Sequence, residues 1–290
     1  MRSSSRRSSS NGLLLLVILL LLALVVFLFV CRRQRNDPAG NAETTGSHTG
    51  SASTSPAPPA LQRLEVPTPQ PGDELVAHEG YTLGYRDAAG QAAWVAYLLT
   101  AAEVAAPNTR RSNNFRPDPD VRSGTATNAD YEGSGYDRGH LAPAEDLSYS
   151  ADAMSASFYY SNMSPQVPAF NRGVWKRLEE LVRFWATAYD SVYIATGPIL
   201  EEGLRRIGPN SVAVPERFYK VVLLYGRGGT RGIGFLLRNE PSAATLRSFA
   251  VPIDQVEAMT GLDFFPQLPD EVEAKIESDP RVNEWRWTRK

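Results

Sequence analysis

Residues 136–143 read Tyr-Asp-Arg-Gly-His-Leu-Ala-Pro, followed by Ser161-Asn162-Met163-Ser164-Pro165-Gln166 and by Asn171-Arg172-Gly173-Val174-Trp175-Lys176-Arg177-Leu178-Glu179. These are the residue types needed to break a phosphodiester: a base for water, positive charge for the added density at phosphorus, and help for the departing oxygen. Imidazole takes a proton near neutrality, with an unperturbed pKa of about 6.5. The chain has three histidines, and since His48 and His78 lie outside these segments, His140 is the candidate base. Arg138 and Arg183 can donate paired hydrogen bonds to phosphate, for which the planar guanidinium is better shaped than an ammonium. Asn171 offers a neutral amide oxygen, a hard ligand that Mg²⁺ accepts while keeping most of its waters. On residue type alone, a helix N-cap is the commoner role for Asn171. Glu179 could orient water on a metal, or form an i,i+4 ion pair with Arg183 contributing about 0.2–0.5 kcal/mol.

Two elements must position this set. If residues 137–140 are extended, the two-residue period of a strand turns Arg138 and His140 to one face, and Asp137 and Gly139 to the other. After Asn171, the apolar residues Val174, Trp175, Leu178, Leu181, Val182 and Trp185 follow the stripe of an amphipathic helix. Asn171 then stands at the helix N-terminus, and Glu179 lies about 80° round the axis from it. Arg183 follows one turn later on the same flank.

The Asp-Arg-Gly-His quartet, the Ser-Asn-Met-Ser-Pro-Gln segment and the Asn-x-Gly-x-Trp-x-x-Leu-Glu run, in this order, resemble the DNA/RNA non-specific endonucleases, whose active site is of the ββα-metal (His-Me finger) type. The resemblance covers roughly Glu65 to Pro266. It implies an α+β domain with a central, mainly antiparallel sheet, packed helices and the metal finger on one face. The implied activity is metal-dependent endonucleolytic cleavage of DNA and RNA, with Mg²⁺, or Mn²⁺, as cofactor. His140 is then the base, Asn171 the metal ligand, and Arg138 and Glu179 their partners. Asn162 matches a site-supporting asparagine that either touches substrate or holds the loop. Arg183 and Arg111 are the substrate-binding arginines, Arg111 lying in the long irregular stretch Asn108 to Asp130. Activity on both sugars rests on the resemblance, whereas weak sequence preference also follows from a site that grips phosphate and sugar.

Formal net charge is −2 over 290 residues, so bulk charge carries no nucleic-acid signature. Residues 1–59 hold six arginines against two acids, which leaves 24 basic and 30 acidic residues beyond them. Attraction for phosphate must therefore be local. Cys31 is the only cysteine, which excludes an intramolecular disulfide.

In chain order, residues 1–12 are an Arg/Ser-rich tail and residues 13–31 are nineteen uninterrupted apolar residues, long enough to cross a bilayer. Residues 32–64 read as a disordered linker containing His48, and 65–290 as the endonuclease domain. The expected location is a single-pass membrane anchor with an extracytoplasmic catalytic domain, an orientation drawn from the resemblance. Tyr81–Tyr85 and Ala93–Leu98 flank a turn at Asp87–Gly90 and predict a hairpin. Ser191–Thr196, Phe218–Tyr225 and Gly232–Leu237 predict buried strands, and Asp254–Gly261 a short helix capped by Asp254. His78 is expected to be a surface or capping residue, Asp270–Asp279 a solvated acidic face, and Trp285 and Trp287 packing residues. The partners expected are DNA and RNA through phosphate contacts and the membrane through residues 13–31, with a homodimer left open. The rival function is a catalytically silent, membrane-tethered nucleic-acid-binding module. Intact His140, Asn171 and Glu179 favour the enzyme.

Overall fold

The computed structural model describes residues 63–226 and 229–288. The tail, the apolar run and nearly all of the linker lie outside these residues, so the expectations placed on residues 1–62 find no counterpart in it.

The frame is a seven-stranded, wholly antiparallel sheet. Its strands are β1 (Asp73–His78), β2 (Tyr81–Arg86), β3 (Gln91–Thr100), β6 (Ser191–Pro198), β9 (Arg217–Gly226), β10 (Gly229–Arg238) and β11 (Ala250–Val251), hydrogen-bonded in that order. The alternation in residues 81–98 forms the expected β2–β3 hairpin. Its 3₁₀ turn ends at Gly90 with φ 65°, a left-handed conformation that glycine adopts without strain. The central strands β3, β6 and β9 are buried on both faces, which explains their near-continuous apolar runs.

Two short sheets stand apart, β4 (Asp137–His140) with β5 (Met163–Gln166) and β7 (Arg206–Ile207) with β8 (Val212–Ala213). Helices α1 (Ala101–Ala105), α2 (Asn128–Tyr131) and α3 (Ala151–Ala156) are short. The long helix α4 (Lys176–Tyr189) packs on one face of the main sheet. All six residues of its apolar stripe are buried, against Phe170, Phe218 and Phe235 among others. Helices α5 (Ile253–Thr260) and α6 (Asp270–Ser278) cover the other face. Helix α5 starts after Pro252, one residue ahead of the expected cap at Asp254, and ends at left-handed Gly261.

Three local expectations change. Leu64, assigned to the linker, is fully buried, because the sheet face under α5 and α6 offers an apolar seat. His78 is no surface residue: its side chain is 5% exposed, and Nε2 is hydrogen-bonded to Asp118 Oδ2 at 2.7 Å. The acidic segment 270–279 is not wholly solvated, since α6 turns Ile276 and Glu277 inward. Trp285 is buried against Trp185 at 4.4 Å between ring centroids, and Trp287 meets the same ring edge-on, so both pack as expected.

Candidate active site

β4 is extended as the period-two reading requires, and pairs with β5 from Asp137↔Gln166 to His140↔Met163. Glycine at 139 follows from packing, since a Cβ there would stand 2.2 Å from the Gln166 side chain. The strand therefore approaches β5 closely and presents Arg138 and His140 together. Asn171 lies ahead of α4 in an irregular π-type turn, Phe170–Trp175, that breaks helical geometry at Gly173 (φ −110°, ψ −107°). It is thus set off from the helix proper rather than being its N-cap.

These elements border one cleft of about 350 Å³, lined by Arg111, Arg138, His140, Pro143, Ala144, Glu145, Asn171, Arg172, Lys176 and Glu179. Five of the seven residues singled out from sequence share it. Asn162 and Arg183 do not.

Two aromatic rings hold His140 and both arginines. His140 meets the Phe158 ring edge-on at 5.0 Å and lies 6.0 Å from Phe115. The Arg138 guanidinium stands 4.0 Å over Phe115 and donates to Asn128 Oδ1 at 2.9 Å. That of Arg111 stands 4.9 Å over Phe158 and donates to Asn113 Oδ1 at 2.9 Å. Among the described residues neither arginine has a carboxylate in ion-pair range, so each keeps its charge for the cleft. His140 Nε2 is buried with no hydrogen-bond partner among the described residues. Burial, reinforced by Arg111 and Arg138, holds the imidazole down at about 3, so it is neutral across the physiological range.

Asn171 is oriented by Asp137, whose Oδ2 accepts from Asn171 Nδ2 at 2.9 Å and from Arg172 Nε at 2.8 Å. The amide nitrogen is thereby committed, and the amide oxygen is left over. Behind the cleft lies a group of buried charges. Burial raises the carboxyl of Glu179 above its usual range, while Lys220 favours its charged form. Burial likewise lowers the ammonium of Lys220, which is fully buried on β9 and stands 4.9 Å over the Trp175 ring.

Arg183 does not form the anticipated pair with Glu179 and does not reach the cleft. Its guanidinium donates to Asp146 Oδ1 at 2.6 Å and lies 2.7 Å from Glu145 Oε2, because the loop after β4 brings those carboxylates over α4. Arg183, expected to bind substrate, is thus placed against Asp146 and Glu145 and outside the lining of the cleft. Asn162 is fully buried, accepting from Ala142 N and donating to the carbonyls of Ala142 and Ser157, each at 2.9 Å. Of the two roles left open for it, the geometry is that of holding the loop.

Asp137, Phe115, Phe158, Asp146 and Lys220 were not identified from sequence. Only Lys220 carried a usable signal: lysine is almost never fully buried, so one within an apolar strand run stands out.

A family model described as DNA/RNA non-specific endonuclease matches residues 60–271. Mitochondrial Endonuclease G of Homo sapiens is 38% identical over 209 residues, covering 67% of this chain and 70% of the relative. Mitochondrial Nuclease EXOG of Xenopus laevis is 35% identical over 216 residues, covering 69% and 60% respectively. Among solved structures, the crystal structure of an EndoG/EndoGI complex, described as showing the mechanism of EndoG inhibition, superposes with a TM-score of 0.63 at 34% identity. It covers 68% of this chain and 87% of that one.

These findings correct the expected location. No described helix is long and apolar enough to cross a membrane, residues 13–31 lie outside the described residues, and the relatives are named as mitochondrial nucleases. An apolar run of bilayer length is a property of composition and does not by itself establish a spanning anchor, so the single-pass extracytoplasmic placement is withdrawn. The three sequence motifs, the sheet with its β4–β5–α4 finger, and a match over residues 60–271 agree: this chain belongs to the DNA/RNA non-specific endonuclease family.

Proposed function

We propose that the chain is a metal-dependent endonuclease that hydrolyses the phosphodiester bonds of both DNA and RNA with little sequence preference. The observation that carries this reading is the meeting, in one cleft, of a buried imidazole nitrogen, two arginines that have no carboxylate partner among the described residues, and an oriented carboxamide. Arg138 and Arg111 bind the scissile phosphate and offset its growing negative charge. An anion seated between them offsets the Arg111 and Arg138 charges, which add to burial in holding His140 neutral, and so favours proton uptake by the imidazole from the attacking water. Glu179 orients that water.

The donors fit a hard cation. With Asn171 Nδ2 committed to Asp137, the amide oxygen faces the same cleft as Glu179, and neither residue brings a soft ligand. Asn171 would hold Mg²⁺ or Mn²⁺, and when bound the cation supplies Lewis-acid stabilisation of the departing oxygen. All of these groups address phosphate and water rather than base edges, which supports weak sequence preference.

The test is incubation of the full chain with plasmid and with RNA, in Mg²⁺ or in chelator, alongside His140→Ala. The expected result is cleavage of both substrates that stops on chelation and falls by about 10²–10⁴-fold in the variant. Cleavage that survives chelation, or is undiminished in the variant, would overturn the mechanism. Binding without cleavage would favour the silent nucleic-acid-binding module.

A further inference from the structure

Helices α5 and α6 carry a cluster that the cleft does not use. Gly232 and Gly234 of β10 face Ile253, Val256 and Ile276 of these helices, while Phe235 of the same strand faces Trp185 on the opposite side of the sheet. The cluster therefore lies across the sheet from α4.

Here carboxylate oxygens of Asp254 and Glu257 from α5 and of Glu277 from α6 come within 4.8 Å of one another. Glu277 is only 7% exposed, and its Oε1 is buried without a hydrogen-bond partner among the described residues. The same holds for Oε1 of Glu273, one turn earlier on α6. Glu257 is fixed by accepting the Phe264 N–H at 2.8 Å. Burial, and then the neighbouring charges of Glu257, Glu273, Asp254 and Asp263, push the Glu277 carboxyl up to about 8. The charges acting on it are thus of its own sign. Exposed carboxylates can spread apart into water. A buried one aimed at two others needs a positive charge or a proton.

We propose that Asp254, Glu257 and Glu277 form a binding site for a calcium ion that clamps α5 to α6, separate from the catalytic cleft. Calcium takes six to eight oxygen ligands at about 2.3–2.6 Å, so its ligands stand up to about 5 Å apart, the span of this cluster. Magnesium demands a tighter octahedron at about 2.0–2.1 Å, and the all-oxygen donors exclude a preference for soft or borderline metals. The proposal stands or falls independently of the nuclease reading.

The full chain, freed of metal with chelator, is melted against added calcium as wild type, Glu277→Gln, Glu257→Gln/Glu277→Gln and Asn171→Ala. At a hundredfold excess over the dissociation constant the expected rise in Tm is about 5–10 °C for wild type and for Asn171→Ala. Glu277→Gln should lose the rise while melting no lower than wild type in chelator, because glutamine keeps the volume and removes an uncompensated charge. Calorimetric titration of calcium should give one site in Asn171→Ala and none in Asn171→Ala/Glu277→Gln, where the cleft ligand is absent from both. No rise in wild type, a rise that persists in the double variant, or a rise abolished by Asn171→Ala would each overturn the proposal. Equal affinity for magnesium would overturn the choice of calcium.

Discussion

Asp137 stands beside Asn171, the proposed metal ligand, and removing it tests whether that ligand needs positioning. Its carboxylate accepts from Asn171 Nδ2 at 2.9 Å, from Arg172 Nε at 2.8 Å and from Arg172 Nη2 at 2.6 Å. The Arg172 side chain is 73% exposed, so water screens its ion pair and leaves it little to contribute. The bond from half-buried Asn171 is to a charged acceptor and is of the order of 1.5–3 kcal/mol. Most of the effect of Asp137→Ala should therefore fall on Asn171, whose amide would be free to rotate its oxygen out of the cleft. At about 1.4 kcal/mol per tenfold, the concentration of Mg²⁺ giving half-maximal cleavage should rise by about 10–100-fold. The rate at saturating Mg²⁺ should stay within a few-fold of wild type. Arg172→Ala, which removes the ion pair and leaves Asp137 bonded to Asn171, should shift the midpoint by less than about fivefold. The assay is nicking of supercoiled plasmid across a Mg²⁺ series, with circular dichroism to confirm the fold. An unchanged midpoint in Asp137→Ala, or an equal shift in Arg172→Ala, would refute the reasoning.

Other perturbations follow from the same geometry. Lys220→Met should lower stability in denaturant unfolding, because the buried ammonium favours the charged form of Glu179 although no hydrogen bond or ion pair joins the two. Adding Glu179→Gln should recover part of that loss, and strict additivity of the two would contradict the electrostatic link. Asn162→Ala should lower stability by about 2–4 kcal/mol through three lost hydrogen bonds and leave the Mg²⁺ midpoint in place. A shifted midpoint at intact stability would return Asn162 to the cleft. The folded His140 pKa, about 3, lies below the unfolded value near 6.5, so the unfolded chain binds the extra proton between them. The stability tied to neutral His140 is complete above about pH 6.5 and is lost as pH falls toward 3. Urea midpoints at pH 7 and pH 4.5 should differ less in His140→Phe than in wild type, and an equal or larger difference would count against a neutral buried imidazole.

Corrections to the sequence reading cluster where distant segments meet. Period and residue type were enough for β4 and α4, since a strand's alternation and a helix's stripe are local and the side chains they bury are apolar. Arg183 sits on the expected flank of α4, yet its partners come from the loop after β4, more than thirty residues earlier. His78 ends β1, a strand not foreseen from the sequence, and its partner Asp118 lies forty residues on. A local pattern says which way a side chain points and nothing of what arrives there.

By itself, the order of residues determined the family, the strand carrying His140, the helix carrying Glu179, and the types of group available for hydrolysis, because these follow from spacing along one segment. Tertiary structure alone decided that Phe115 and Phe158 shelve His140 and two arginines, and that Asp137 turns the Asn171 amide. It also decided that Asn162 and Arg183 spend their hydrogen bonds inside the protein, and that Glu277 goes under rather than out. Charge and hydrogen bonding are settled by whichever group lies within about 3 Å, and proximity across the chain is a property of the packed sheet and not of spacing.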